Sequence, residues 1–201
     1  LGTDVDFAAD GGLYVTDWVN GWVGEGKGRL YRFTDTEHVS AVHGANVQSL
    51  LTGGIADAKT PQLLELLAHQ DRRVRQAAQF ELVRRNAYAE VRAAFDAGTD
   101  SLQQRHIVWA CWQFGLGNAK RAAEVSALLL NQGLAKGENG NQSLRVIADL
   151  AARHGKAALK LEDTAVLTAA VASQDLRRAG FAAVTLGTVG QTSDSKALLQ
   201  L

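Results

Sequence analysis

The sequence predicts a mainly α protein, in which a small three-stranded antiparallel β-meander precedes a right-handed α-solenoid of helical hairpins. Three observations lead to this prediction. Apolar residues alternate with a period of two near the start of the chain. From Thr60 onward the apolar residues follow a helical period. Helix–turn–helix units then recur at spacings of a few tens of residues, which is typical of stacked repeats.

The first segment, 1–34, is interpreted as three strands with no helix. Val5 and Phe7 alternate with aspartates, and Asp10-Gly11-Gly12 predicts a tight turn. Two further runs rich in β-forming residues flank a glycine-rich loop at 21–28; they are 13–19 and 29–34. A three-stranded sheet is marginal by itself and must pack on something, as a blade of a β-propeller packs on its neighbours. We therefore expect a partial, terminal propeller blade.

The second segment, 35–60, is predicted to be a polar linker in which 47–51 could form a short helix. The third segment, 61–201, is predicted to be the solenoid. Thr60-Pro61 indicates a helix start, with a capping hydroxyl followed by proline at the first helical position. Asp71 is expected to cap a second helix over 72–85, and together the two helices make the first hairpin.

Four hairpins follow from aligning the second helices on an arginine near their start. The arginines are Arg75, Arg105, Arg145 and Arg177, at spacings of 30, 40 and 32 residues. Ten residues after them stand Arg85, Gly115, Gly155 and Gly187, so three of the four helices are predicted to end at glycine. First helices are expected near 62–69, 87–97, 119–135 and 163–173. Asp71, Asp100 and Asp175 are expected N-caps, and the predicted core includes Ile107, Trp109, Ile147, Leu150 and Phe181.

The hairpins resemble HEAT repeats. Pro61 stands early in a first helix, and Asp71 and Val74-Arg75 stand at the turn into the second. The resemblance implies that such Asp and Arg side chains bind neighbouring turns and hold the stack in register, with Asp71–Arg75 and Asp100–Arg105 as the best matches. The fit is loose in the third repeat, where Ser143 precedes Arg145.

The first segment resembles the last blade of the propeller in the PVC-type bacterial membrane-bound dehydrogenase and haem-binding family. The residues that carry the resemblance are Asp4-Val-Asp-Phe7, Asp10-Gly11, the run from Leu13 to Trp22, and Gly26-Lys-Gly-Arg-Leu-Tyr-Arg32. Proteins of that family join a propeller like that of quinoprotein sugar dehydrogenases to HEAT repeats and then to a c-type cytochrome. The resemblance implies pyrroloquinoline quinone and haem c as cofactors of a parent protein, none of them in this chain, and a periplasmic or extracytoplasmic location.

Composition limits the function classes. Lys and Arg number 21, as do Asp and Glu, so the net charge of zero gives no long-range attraction to nucleic acid or anionic membrane. No run of 18 apolar residues occurs, so we expect no membrane span. The single cysteine, Cys111, permits neither a CxxCH motif nor an internal disulfide, and its apolar helical surroundings predict a buried, inert thiol.

Two groups of residues are candidate sites, each with a plain structural alternative. Asp17, Trp18 and Asn20 end the second strand at the mouth of the glycine-rich loop, where a carboxylate, an amide and an indole could contact a cofactor or sugar. The alternative is that Trp18 and Trp22 pack the blade against the first helical pair. Asp4, Asp6 and Asp10 are weak candidate calcium ligands, because the spacing is wrong for an EF-hand and a solvated strand edge with a turn is the favoured explanation.

Three functions remain open from the sequence. The chain could be a structural and protein-interaction region of an extracytoplasmic dehydrogenase, whose partners would be further propeller blades, a possible cytochrome domain and a protein on the solenoid surface. It could instead be a stand-alone protein-binding scaffold, or a nucleic-acid-binding solenoid based on the arginines near 72–92. The sequence contains no methionine and stops in an apolar run, so we expect both ends to be cuts. Whether a parent protein is an active enzyme is uncertain, but we expect no catalysis by this chain alone.

Overall fold

The three-dimensional structure is a computed structural model, which describes residues 2–18, 26–35, 41–97, 101–132, 134, 137–161 and 164–199. Helices dominate these residues, and a single three-stranded antiparallel sheet lies near the start of the described chain. The predicted mainly α fold class with a small β-meander is therefore confirmed. The right-handed superhelical path of a solenoid stays a prediction.

The sheet consists of β1 (Gly2–Phe7), β2 (Leu13–Asp17) and β3 (Arg29–Phe33), joined in the order β1-β2-β3. Both pairs of neighbours are antiparallel. The turn between β1 and β2 is the predicted one: Gly11 has φ of 80°, and Asp10 accepts a hydrogen bond from the backbone nitrogen of Gly12 at 2.9 Å. A positive φ favours glycine, so the turn chemistry in the sequence explains the hairpin.

The segment that was expected to be a polar linker is mostly helical. It contains α1 (Ala41–Ser49), a π-helix (Leu50–Gly54) and α2 (Ile55–Asp57). Val47 and Ile55 are buried, and they join the same core as the later helices. The two apolar side chains are too few to give a visible helical period, but burying them against later helices is favourable. The short helix expected at 47–51 is present, but it belongs to a longer helical run over 41–57 that the sequence did not predict.

From Thr60 onward, the helices of the described residues form four consecutive pairs. They are α3 (Thr60–Leu66) with α4 (Arg72–Arg84), α5 (Tyr88–Ala97) with α6 (Ser101–Leu116), α7 (Ala119–Asn131) with α8 (Glu138–His154), and α10 (Ala165–Val171) with α11 (Leu176–Val189). Two short helices, α9 (Lys156–Leu159) and α12 (Ser195–Leu198), lie outside the pairs. The four pairs stand close to the positions that the sequence predicts.

Each pair packs internally, and the second helices also pack on one another in chain order. Thus α4 contacts α6, α6 contacts α8, and α8 contacts α11. The predicted core residues Ile107, Ile147 and Leu150 are fully buried. Trp109 and Phe181, which were also predicted to be core residues, are only half-buried and pack against the edge of the core. The second helices therefore form one continuous layer with an accessible outer face.

Helix ends agree with the sequence in part. The side chain of Asp71 accepts from the backbone nitrogen of Arg73, and that of Asp175 accepts from Arg177 and Arg178, so both are N-caps as predicted. Asp100 lies outside the described residues. The first helix of the first pair, α3, begins at Thr60 itself, and Lys59 is its N-cap. The predicted N-cap, Thr60, was therefore one residue too late. Lys59 donates its backbone N–H to Oε1 of Gln62 at 2.9 Å.

The predicted glycine ends are correct at one position only. Gly155 follows α8 with φ of 82°, a value that favours glycine. Gly115 and Gly187 lie inside α6 and α11, so those two predictions were wrong. Both helices continue because the next apolar residues, such as Val189, still reach the core. Among the described helices, none has the length and apolar character needed to cross a bilayer.

Candidate interaction surfaces

A groove lies on the outer face of the second helices, between α4 and α6. Its volume is about 530 Å³, within the range of ligand-binding clefts. Nine side chains line it, and they are of three kinds: the cationic or basic Arg72, Arg105 and His106, the amides Gln76, Gln79 and Gln113, and the aromatic Phe80, Trp109 and Trp112. None of these nine residues is a carboxylate. We call this feature the α4–α6 groove.

A chain of three hydrogen bonds crosses the bottom of the α4–α6 groove. Nε of Arg75 donates to Nε2 of His106 at 3.2 Å, and Nδ1 of His106 lies 2.8 Å from Oε1 of Gln79. Because Nε2 is an acceptor, the ring proton must be on Nδ1 and is donated to Gln79. Nε2 of Gln79 then donates to Oε1 of Gln113 at 2.7 Å. All three bonds run in one direction, and they fix α4 against α6.

This arrangement keeps His106 neutral. Burial of the imidazole, with the nearby Arg75 and Arg105 guanidinium groups, lowers the pKa of His106 to about 4. A neutral imidazole can accept from Arg75, whereas an imidazolium cannot. At neutral pH His106 therefore acts as a structural link and is not a charged ligand-binding group.

Aromatic and arginine side chains continue the groove from α6 across the next two second helices, α8 and α11. The rings of Trp109 and Trp112 meet edge to face, with 5.4 Å between their centroids. The guanidinium group of Arg145 on α8 lies over Trp109 at 5.4 Å and over Phe181 of α11 at 5.7 Å. Such contacts hold an arginine in place on the surface while leaving its charge available. A positively charged, aromatic strip thus extends from α4 to α11.

The second candidate surface is one face of the sheet. The register places Val5, Val15 and Tyr31 side by side, and likewise Phe7, Leu13 and Phe33. Directly paired residues of neighbouring strands share a face, so these six side chains form a continuous apolar patch. Phe7 is 63% exposed and Phe33 is 56% exposed. We call this patch the apolar sheet face.

The helices hold the sheet from its turn side and leave the apolar sheet face open. Nη1 of Arg73 in α4 donates to the carbonyl oxygen of Phe7 at 2.5 Å. Gly44 of α1 lies so close to the turn that an added Cβ would stand 3.0 Å from the carbonyl oxygen of Asp10. Ala9 packs against the helical core. The sheet is thus attached through one end, while its strands remain largely exposed.

The structure locates two of the three residues expected at the loop mouth. Asp17 is half-buried at the end of β2, and it pairs in the sheet with Arg29. Trp18 is 51% exposed, so about half of its surface remains in contact with water. Asn20 and Trp22 lie outside the described residues.

The three aspartates proposed as calcium ligands have other contacts. Asp4 and Asp6 accept hydrogen bonds from the backbone nitrogens of Val5 and Phe7, each at 2.8 Å. Asp10 accepts from Gly12 and pairs with Arg32 at 2.9 Å; the Gly12 amide is the main cause of its lowered pKa. A search of the described residues finds no group of three or more His, Cys, Asp or Glu side chains arranged to hold a metal ion.

The contacts of the repeat residues are visible in the first helical pair. Asp71 pairs with Arg73, whose guanidinium lies 2.7 Å from its carboxylate and lowers the pKa of Asp71 to about 2. Arg75 instead donates to the turn carbonyls of His69 and Gln70, at 2.6 and 2.8 Å. Through its hydrogen bond to His106, Arg75 therefore joins its own turn to α6 of the next helical pair.

The arginine alignment needs a correction in the fourth repeat. Asp71 and Asp175 are equivalent N-caps, and Arg73 and Arg177 each stand two residues after the cap. Arg177 thus corresponds to Arg73 rather than to Arg75. Two positions are equivalent when they stand at the same distance from the N-cap and on the same face of the helix, and residue type alone does not establish this. Arg177 pairs with Glu138 at 3.0 Å.

Cys111 is buried, as predicted. Burial raises the pKa of its thiol to about 12, so the thiolate form is strongly disfavoured. His106, five residues earlier on α6, is committed to Arg75 and Gln79. The described residues therefore give Cys111 no activating base.

Sequence reasoning missed the α4–α6 groove, although one signal was available. Phe80 stands on a second helix at a position between the buried Ala78 and Leu82, and it is 49% exposed. Trp109 and Trp112 fall one turn apart on the following second helix. Large aromatic residues off the buried stripe of successive second helices indicate an exposed aromatic surface.

No protein-family model, curated protein or solved structure matches this chain.

Proposed function

We propose that this chain is a structural and protein-interaction region of a larger extracytoplasmic dehydrogenase of the propeller type, one that oxidises a sugar or an alcohol and passes electrons to a c-type cytochrome. The observation that carries the proposal is the apolar sheet face. The sheet would seat against a neighbouring β-sheet of the same protein, and the helical pairs would present a surface to a partner. The proposal assigns no reaction step to this chain.

The apolar sheet face needs a covering layer. Contiguous exposed apolar patches mark contact sites, and two sheets pack face to face at about 10 Å. Phe7 and Phe33 at the two outer strands have more than half of their surface in water. Covering the patch would contribute on the order of several kcal/mol at about 25 cal/mol per Å² of buried apolar surface. A second sheet with a matching period-two face is the partner that fits.

Covalent haem c, one of the cofactors implied for the parent, does not fit the residues of this chain. It needs a CxxCH motif, and the only cysteine, Cys111, is buried inside α6. Of the residues that could contact a quinone at the glycine-rich loop, Asp17 and Trp18 belong to the described part of the chain. We therefore place the haem in another part of the parent protein and derive no step through either cofactor.

The apolar sheet face can be tested with the chain itself. We would measure binding of the dye ANS and the molar mass by light scattering, for the wild type and for the double variant Phe7→Ser and Phe33→Ser. The matched control is Leu176→Ser with Val184→Ser, which removes two exposed apolar side chains from α11. We expect strong ANS binding by the wild type and the control, and at least a halving of it in the sheet variant.

The gene provides the second test. The proposal expects further sheet-forming repeats encoded before this chain and a CxxCH motif encoded after it. In the longer gene product, hydrogen exchange of β1 and β3 should slow relative to this chain alone, and sugar oxidation should require added quinone. Weak ANS binding that the sheet variant leaves unchanged would contradict the docking role. A gene that encodes neither feature would contradict the dehydrogenase assignment.

A further inference from the structure

The α4–α6 groove has a charge that the described chain does not neutralise. Arg72 and Arg105 line it, both are exposed, and neither forms an ion pair with a carboxylate of the described residues. Several other arginines on the helices do pair with carboxylates, as Arg84 does with Glu81 at 2.6 Å and Arg177 with Glu138 at 3.0 Å. The described residues provide neither guanidinium group with a carboxylate partner, and the described lining of the groove contains no carboxylate, so the groove complements an anionic ligand.

The same groove also carries apolar and amide surface. Phe80 and Trp109 offer exposed aromatic area, and such side chains provide much of the binding energy of protein interfaces. The Gln79 and Gln113 amides are held by the hydrogen-bond chain from His106, so they are ordered before a ligand arrives. Amide side chains can both donate to and accept from a peptide backbone.

We propose that the α4–α6 groove binds a short, extended acidic segment of a partner protein, with partner carboxylates at Arg72 and Arg105 and an apolar or aromatic partner side chain against Phe80 and Trp109. This inference rests on the proposed role in protein binding and names the class of partner. It does not depend on the apolar sheet face.

The observations favour a peptide over a nucleic acid. A nucleic-acid site needs many cationic side chains along the strand, and the chain as a whole has no net charge. The groove has three glutamines and two arginines that form no ion pair with a described residue. Arg145, farther along the strip, lies against Trp109 and Phe181. The mixture of amide, aromatic and few cationic groups is that of a peptide-binding surface.

The test uses three fluorescein-labelled probes with the whole chain, read by fluorescence anisotropy. They are a peptide that alternates glutamate and phenylalanine, its lysine and phenylalanine counterpart, and a single-stranded oligothymidylate. The principal variant is Arg72→Glu with Arg105→Glu. Its matched control is Lys120→Glu with Arg153→Glu, which changes the net charge equally at exposed positions outside the groove. A further variant, Trp109→Ala, tests the aromatic contact.

We expect the acidic peptide to bind more tightly than the other two probes. Reversing the charges of Arg72 and Arg105 should weaken the affinity for the acidic peptide by at least about tenfold. The control variant should change that affinity by less than about threefold. Trp109→Ala should weaken it without changing its dependence on salt. Circular dichroism and thermal unfolding would establish that each variant is folded.

Three results would overturn the inference. The acidic peptide could bind no better than the lysine peptide, the control reversal could weaken it as much as the groove reversal, or the oligothymidylate could bind more tightly and respond to the groove reversal. The last result would identify the groove as a nucleic-acid site. None of them would alter the ANS and mass measurements on the apolar sheet face, so failure of this inference and failure of the proposed docking role are separable.

Discussion

Nε of Arg75 in α4 donates a hydrogen bond to Nε2 of His106 in α6, with 3.2 Å between the two nitrogen atoms. The bond requires a neutral imidazole, and His106 has a pKa lowered to about 4 by burial and by the adjacent arginines. Since Arg75 also holds the turn carbonyls of His69 and Gln70, one guanidinium group connects two consecutive helical pairs. The contact between the first two repeats is therefore sensitive to pH.

The free energy of unfolding should fall as the pH becomes low enough to protonate His106. The folded-state pKa lies below the ordinary value of 6.5, so the unfolded chain binds the proton first. The free energy of unfolding is thus unaffected by His106 above about pH 7, and it decreases as the pH falls from 6.5 towards 4. The decrease due to this group should be on the order of 1–2 kcal/mol, allowing for solvent screening. Urea unfolding at a series of pH values measures it.

The variant His106→Gln provides the control, because it cannot titrate in this range. It should be less stable than the wild type at pH 7, and its stability should depend less on pH between 6.5 and 4. Other histidines and carboxylates contribute equally to both proteins, so the difference between the two curves isolates His106. Parallel curves would show that the Arg75–His106 contact does not favour the neutral ring.

A second electrostatic contact joins the helical segment 41–57 to α4. Glu81 binds Arg84 and Arg85, and the first of these is the main cause of its pKa being lowered to about 2. Arg85 in turn donates to the carbonyl oxygens of Ala56 and Ala58, each at 2.7 Å. Ala56 lies in the last turn of α2 and Ala58 directly after it, where carbonyl oxygens lack donors from within the helix. Glu81 therefore positions the arginine that satisfies them.

Replacing Glu81 by Gln keeps the shape and removes the charge. We expect a loss of about 1–3 kcal/mol at pH 7, since bonds to charged groups are the stronger ones. The folded-state pKa is depressed, so the contribution of Glu81 is present above 4.5 and is lost as the pH falls towards 2. Glu124→Gln is the control, because its contact with Arg121 is 3.5 Å long and exposed, and such pairs contribute less than about 1 kcal/mol. Equal losses in urea unfolding would contradict this account.

The start of α8 should not accept a larger residue in place of Gly140. An added Cβ at Gly140 would lie 2.7 Å from the carbonyl oxygen of Leu134, which is backbone and cannot move aside easily. Gly140→Ala should therefore destabilise the protein by about 1–3 kcal/mol, although alanine is the better helix former. Gly187 in α11 has nothing within 4 Å of such a Cβ, so Gly187→Ala should stabilise by up to about 1 kcal/mol. Thermal unfolding of the two variants gives the comparison, and a shared direction of change would refute it.

The sequence predicts the helical pairs well because their signals are local. Asp71 and Asp175 cap helices through the next two or three residues, and a buried stripe such as Val74, Ala78 and Leu82 repeats at helical spacing. The register of the sheet follows likewise from alternation and from the turn at Gly11. These features need no knowledge of distant residues.

The parts that could not be predicted depend on contacts between distant segments. Helix formation over 41–57 needs the core that receives Val47 and Ile55, and the end of this helical run needs Arg85, which directly follows α4. Likewise, Gln79 and Gln113 are remote in sequence but meet at 2.7 Å across α4 and α6. A sequence pattern gives the face of each helix, whereas the groove exists only where two faces meet.

The last prediction concerns the attachment of the sheet to the helices. Arg73 is held by Asp71 on one side and donates to the carbonyl oxygen of Phe7 on the other, at 2.5 Å. Because β1 is exposed along its whole length, this bond is among the few described contacts that fix its end. Arg73→Ala should therefore speed hydrogen exchange in β1 and in the following turn by at least about tenfold, while exchange in α8 and α11 stays unchanged. Arg72→Ala is the matched control, since the neighbouring arginine faces the α4–α6 groove and has no described bond to the sheet. Uniform exchange in both variants would show that the sheet is held by other contacts, such as those of Ala9 and Gly44, and that Arg73 serves only the turn at Asp71.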